Sequence, residues 1–163
     1  WVGALIKDVK QPILIVADKD KLEEAVTRLS RVGFDNVIGY LEGGFEAWKN
    51  AGKEIDTIET ITAAELAEIE KGKIVDVRKI TEFSSERVAS AVNAPLDNLN
   101  DYLNHFEGDE NVYVHCLGGY RSVIAISILK ARGINNVVNV LEGFNGLKDT
   151  KIPISDYVCP TTL

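Results

Sequence analysis

Val112-Tyr113-Val114-His115-Cys116-Leu117-Gly118-Gly119-Tyr120-Arg121-Ser122 is a β-rich run that ends in cysteine, passes through two glycines and opens a helix. A cysteine at the end of a buried strand, facing the unpaired N–H groups of a helix N-terminus, sits in a field that favours the thiolate. Gly118 and Gly119 are expected to let the backbone curl so that successive amides point at one centre. Arg121 adds a positive charge. The run reads as a nucleophile loop that holds an anion on or beside sulfur.

Outward from it, apolar stretches bounded by turn-forming or charged residues predict strands near 12–17, 36–40, 73–77, 91–94, 111–115 and 136–140. Between them, Leu22, Ala25, Val26 and Leu29 form a helical stripe within 21–32. Thr62-Ala63-Ala64-Glu65 reads as a capping box opening a helix to about Lys71-Gly72. Val123 to Ala131 is apolar on most sides, the mark of a buried helix. This alternation defines an α/β chain: a doubly wound parallel sheet covered on both faces, with ligands beyond the carboxyl ends of strands, where Cys116 lies.

Four residues separate Cys116 from Arg121. Cysteine phosphatases use a related pattern with five, and that longer ring must accommodate three phosphate oxygens, whereas a shorter ring suits one extra sulfur atom. The segment resembles the active-site loop of the rhodanese family of sulfurtransferases. Ile74-Val75-Asp76-Val77-Arg78, then Glu82-Phe83 and Ala89-Ser90-Ala91-Val92-Asn93-Ala94-Pro95-Leu96, resembles the family's first block in order and spacing. Val137-Val138-Asn139-Val140-Leu141-Glu142-Gly143-Phe144 resembles its closing block. Two departures stand out: Ser85-Glu86-Arg87-Val88 replaces a usual glycine-histidine pair, and Gly143-Phe144 replaces two adjacent glycines. Both are expected to reshape the mouth of the site.

The resemblance implies a rhodanese-like fold and double displacement. Cys116 would take a sulfane sulfur from a small anionic donor, thiosulfate or a persulfide, and hand it to a thiol, a protein cysteine or, in the laboratory, cyanide. Cys116 and Arg121 are then the catalytic residues, and Leu117, Gly118, Gly119, Tyr120 and Ser122 cradle the persulfide. Asp76 and Arg78 brace the surrounding loops, and Glu82 is expected to pair with a neighbouring arginine. No cofactor or metal is required. By strand alternation His115 points away from the nucleophile, so a core role is favoured over general base; His105 is expected at the surface. Cys159, in a polar tail, reads as an exposed thiol more readily than as a sulfur relay or the partner of a resolving disulfide with Cys116. The rival readings are a cysteine phosphatase and, more seriously, a non-catalytic binding or regulatory module.

The closing block occurs twice. Residues 31–43 match 131–143 at a constant offset of 100 residues, about one domain. In the first copy Ile13-Leu14-Ile15-Val16-Ala17-Asp18-Lys19 stands in place of the cysteine loop, and no alignment of Val16, Ala17 or Asp18 supplies a cysteine. That copy is expected to be inactive and, with about ten residues before its first strand, partial. The expected organisation is a partial repeat over 1–55, a complete domain over 56–150 and a tail over 151–163. Tandem domains with an inactive first member resemble the C-terminal part of proteins that begin with a metallo-β-lactamase-fold domain, some of them persulfide dioxygenases. Such a domain is the upstream partner the resemblance implies.

A net charge of −7 argues against a nucleic-acid or anionic-membrane surface. Two cysteines, with no signal-peptide pattern, point to the reducing cytoplasm. No apolar run reaches the roughly 18 residues of a membrane span.

Overall fold

The computed structural model describes residues 2–156, which fall into two units, to Thr57 and from Ile58 onward. Cys159 lies outside the described residues.

The second unit carries a five-stranded parallel sheet. In chain order its strands are β3 (Thr60–Ile61), β4 (Lys73–Asp76), β6 (Val92–Asn93), β7 (Val112–His115) and β8 (Val137–Val140), arranged β3-β8-β7-β4-β6. The central strands β7 and β8 are buried at every residue, which explains their unbroken apolar character. On one face Val75, Val112 and Val114 pack with Ala125, Ile126 and Leu129 of α6 (Tyr120–Lys130) and with Leu96, Leu99 and Phe106 of the 3-10 segment Leu96–Phe106. On the other, Tyr113, Val138 and Val140 meet Ala63 and Leu66 of α4 (Ala63–Ala67) and Phe144 and Leu147 of α7 (Gly143–Leu147). Each fully buried aliphatic side chain contributes about 1.5–3 kcal/mol relative to exposure. These two layers therefore hold β7, and Cys116 at its end, between two packed faces.

The Thr62–Glu65 capping box forms: Glu65 N donates to Thr62 Oγ1 at 3.1 Å and Thr62 N donates to Glu65 Oε2 at 2.7 Å. The helix it opens stops at Ala67, short of the expected end: Leu66 is already seated in the core, and the following residues Glu68 to Gly72, Ile69 included, are all exposed and give a longer helix nothing to pack against. A second correction concerns the tail. Ile154–Asp156 is no loose extension; it forms β9, antiparallel to β5 (Glu86–Val88), with Val88 opposite Ile154. The Ser85-Glu86-Arg87-Val88 departure thus makes a strand edge, with α5 (Ile80–Ser85) directly before it.

The first unit comprises α1 (Val2–Leu5), β1 (Ile13–Ile15), α2 (Leu22–Ser30), β2 (Val37–Tyr40) and α3 (Gly44–Asn50), with β1 and β2 parallel. Among its described residues only Ile15, Phe34 and Gly44 are buried. Its β1-α2-β2-α3 order matches β7-α6-β8-α7, and the turns agree in detail. Gly33 and Gly133 adopt φ of 86° and 83°. Phe34 N and Ile134 N donate to the carbonyls of Leu29 and Leu129 at 3.0 and 3.1 Å. A Cβ on Gly44 would lie 2.8 Å from the Ala17 carbonyl oxygen, and one on Gly143 2.6 Å from that of Cys116.

Candidate active site

Strand β7 delivers Cys116 into the turn that opens α6, and the sulfur side of the loop faces the helix start. The turn is made at Gly119, which sits at φ +88° where a Cβ would overlap the Leu141 carbonyl oxygen. Gly118 differs from expectation: it avoids positive φ, and its nearest neighbour in Cβ space is Asn145 Nδ2 at 4.0 Å. One glycine makes the curl; the other leaves the loop open. The closing block locks it from below, with Phe144 N donating to the Cys116 carbonyl at 2.7 Å and Asn145 N to that of Leu117 at 3.0 Å.

Cys116 is 1% exposed. Burial pushes its thiol up, but the amides of Ser122 and Gly118, the Ser122 hydroxyl and the Arg121 amide outweigh it and hold the thiol below its ordinary value. Ser122 Oγ lies 3.9 Å from the sulfur and donates to the Gly119 carbonyl at 3.0 Å. Alkylation by iodoacetamide in a Cys159→Ser background is therefore expected to follow a pH profile whose midpoint falls below the roughly 8.5 of a free cysteine. The thiolate fraction at neutral pH is correspondingly larger. A midpoint at or above that of free cysteine would contradict the amide cradle.

The Arg121 side chain is 10% exposed and turns to Glu82, to which it donates through both terminal nitrogens at 2.6 and 2.9 Å. That contact holds the Glu82 carboxyl below the usual range, against the opposing effect of burial. Leu117 and Tyr120 are 41% and 69% exposed, so the rim of the loop is uncharged and partly apolar.

Beside the loop, Asp76 and Arg78 form a buried ion pair, 0% and 3% exposed, with Nη2 to Oδ2 at 2.7 Å and Nε donating to the same carboxylate. Arg78 also donates to the Glu86 carbonyl at 2.7 Å and lies 4.0 Å above the Phe144 ring. Phe144, expected at the mouth, is instead 1% exposed and serves as the floor under Arg78. Its ring fills space that a glycine would leave empty. His115 is fully buried on that face, 3.1 Å through Nδ1 from the Cys116 carbonyl and 20° from parallel with Phe144. Burial lowers its pKa, which keeps the imidazole neutral at neutral pH and leaves its role in the core. His105 is half-buried rather than superficial, stacked 6.0 Å from Tyr102, and its carbonyl accepts from Lys73 Nζ. Among the described residues no group of three His, Cys, Asp or Glu side chains is placed to hold a metal ion.

A loop of amides around a buried thiol at the carboxyl end of a central strand of a five-stranded parallel sheet can hold an anion on or beside sulfur. The rhodanese-like domain family model matches residues 62–150, and the chain belongs to that family. It is 29% identical over 92 residues to the thiosulfate sulfurtransferase GlpE of Glaesserella parasuis, covering 56% of this chain and 85% of that protein. It is 31% identical over 70 residues to Bacillus subtilis YrkF, covering 43% of this chain and only 38% of that longer protein. The crystal structure of a rhodanese-like domain protein from Staphylococcus aureus shares 34% identity and a TM-score of 0.54, over 61% of this chain and all of that one. No helix among the described residues is long and apolar enough to cross a membrane.

Proposed function

We propose that this protein is a sulfurtransferase that carries sulfane sulfur on Cys116. The single observation that carries the proposal is the placement of the Cys116 sulfur, 1% exposed at the end of β7, where the amides of Gly118, Arg121 and Ser122 at the start of α6 converge on it. The Cys116 thiolate attacks the terminal sulfur of a persulfide R–S–SH, or the outer sulfur of thiosulfate. A new S–S bond forms to Cys116, the old one breaks, and its electron pair leaves with RS⁻ or sulfite. The amide cradle then holds the cysteine persulfide as it ionises. An acceptor thiolate or cyanide attacks the same terminal sulfur, giving a new persulfide or thiocyanate and restoring the Cys116 thiolate. No electrons are gained or lost overall. Asp76 and Arg78 act at a distance by bracing the loops, and Arg121 braces the site through Glu82.

The same proposal takes the first unit as a partial, inactive copy of the domain. The shared element order, the Gly33 and Gly133 turns, and the Ala17 carbonyl seated under Gly44 as Cys116 is under Gly143 support it; Ala17 carries no nucleophile. An upstream metallo-β-lactamase-fold domain that makes or consumes persulfide, and a cytoplasmic setting, complete the proposal on the sequence resemblance.

The test is turnover: thiosulfate or glutathione persulfide supplied with cyanide should yield thiocyanate catalytically, while an aryl phosphate should be left intact. Phosphate release without thiocyanate would instead favour the phosphatase reading.

A further inference from the structure

Arg121 is the cation nearest in sequence to the nucleophile, yet its guanidinium is engaged at two points by a carboxylate from another element. Glu82 sits in the first turn of α5, where its Oε2 also accepts from Lys79 N at 3.3 Å, so its position is fixed by its own helix. Its two oxygens accept from Arg121 at 2.6 and 2.9 Å. The geometry is the fork-to-carboxylate form, in which both charges are held at short range. The next arginine, Arg78, is committed to Asp76. The rim residues Leu117 and Tyr120 carry no charge. The loop therefore presents amides to one negative charge on sulfur and no net positive field to a second.

We infer that Glu82 determines donor selectivity: by cancelling the charge of Arg121 it turns the site away from the thiosulfate dianion and toward persulfides, whose reacting end carries at most one charge. This selectivity rests on the sulfurtransferase reading. A thiolate and a dianion repel within about one Debye length of each other, roughly 10 Å at 0.1 M salt, and with the loop amides already turned to the thiolate an uncompensated cation is what would offset that repulsion. A persulfide end, with one charge when ionised and none as S–SH, meets a smaller barrier.

The experiment compares kcat/KM for thiosulfate and for glutathione persulfide in wild-type, Glu82→Gln and Glu82→Asp proteins. Gln keeps the shape and one acceptor for Arg121 but drops the charge, and Asp keeps the charge. The thiosulfate-to-persulfide ratio should rise at least tenfold in Glu82→Gln and stay within threefold of wild type in Glu82→Asp. An unmoved ratio in Glu82→Gln, or equal shifts in both variants, overturns the inference, since a merely structural role predicts parallel losses with both donors. Should Glu82→Gln fail to fold, the wild-type protein decides. Its thiosulfate-to-persulfide ratio should rise as sodium chloride is raised from 20 to 200 mM, and an unchanged or falling ratio overturns the inference. If neither donor loads Cys116, the sulfurtransferase reading itself falls; if both load it and the ratio ignores Glu82, only the selectivity does.

Discussion

A Cys116→Ser variant is expected to lose thiocyanate formation by at least 10³-fold with either donor while unfolding within about 1 kcal/mol of wild type. The two halves follow from different facts. A serine hydroxyl at neutral pH is almost never ionised, and oxygen cannot form the persulfide on which both half-reactions depend. Yet serine is close in size to cysteine, and the loop that surrounds it is held by backbone contacts, Phe144 N to the Cys116 carbonyl at 2.7 Å and Asn145 N to that of Leu117 at 3.0 Å. Those bonds do not involve the sulfur. Thermal unfolding measured beside turnover separates chemistry from folding, and a variant that keeps a tenth of the activity would move the chemistry away from Cys116.

Asp76→Ala is expected to cost about 3–5 kcal/mol of stability, a large share of the roughly 5–15 kcal/mol that holds an ordinary domain together. Asp76 is 0% exposed and receives Arg78 through Nε and Nη2 as well as the Arg78 backbone amide at 2.9 Å. Truncation leaves a guanidinium that is 3% exposed without its counter-charge, so the loss greatly exceeds what a surface pair would give. The melting temperature of the second unit should fall by more than about 10 °C. The double variant Asp76→Ala with Arg78→Leu should recover part of that loss, because the stranded charge is gone and Leu can pack on Phe144. A single-variant loss under about 1 kcal/mol would show that the pair is hydrated and does not brace the loops.

Local chemistry made much of this legible in advance. The Cys116 loop, the Thr62–Glu65 box and the strand pattern rest on interactions within a few residues or on burial that leaves continuous apolar runs, as in Val112–His115 and Val137–Val140. The rest depends on contacts set by tertiary packing. Strand β9 exists only because Ile154–Asp156 finds the free edge of Glu86–Val88 about 70 residues earlier, which a polar, proline-containing tail did not advertise. Phe144 looked like an altered rim because it replaces the second of two adjacent glycines usual in the family; its burial beneath Arg78 follows from α7 turning it inward. That Glu82 would find a neighbouring arginine was expected, but the sequence left Arg78, Arg87 and Arg121 all open. The choice of Arg121 over Arg78 required Asp76 to claim the latter first. Likewise the two adjacent glycines looked equivalent, and only the approach of the Leu141 carbonyl assigns the turn to Gly119.

The most direct measurement is the intact mass of the protein after treatment with thiosulfate or glutathione persulfide and desalting, followed by cyanide. A gain of one sulfur atom that requires Cys116, survives replacement of Cys159 and disappears on adding cyanide is the predicted result. A protein whose mass stays unchanged with both donors, while iodoacetamide still labels Cys116, would contradict sulfur transfer and leave a rhodanese-like binding module in its place.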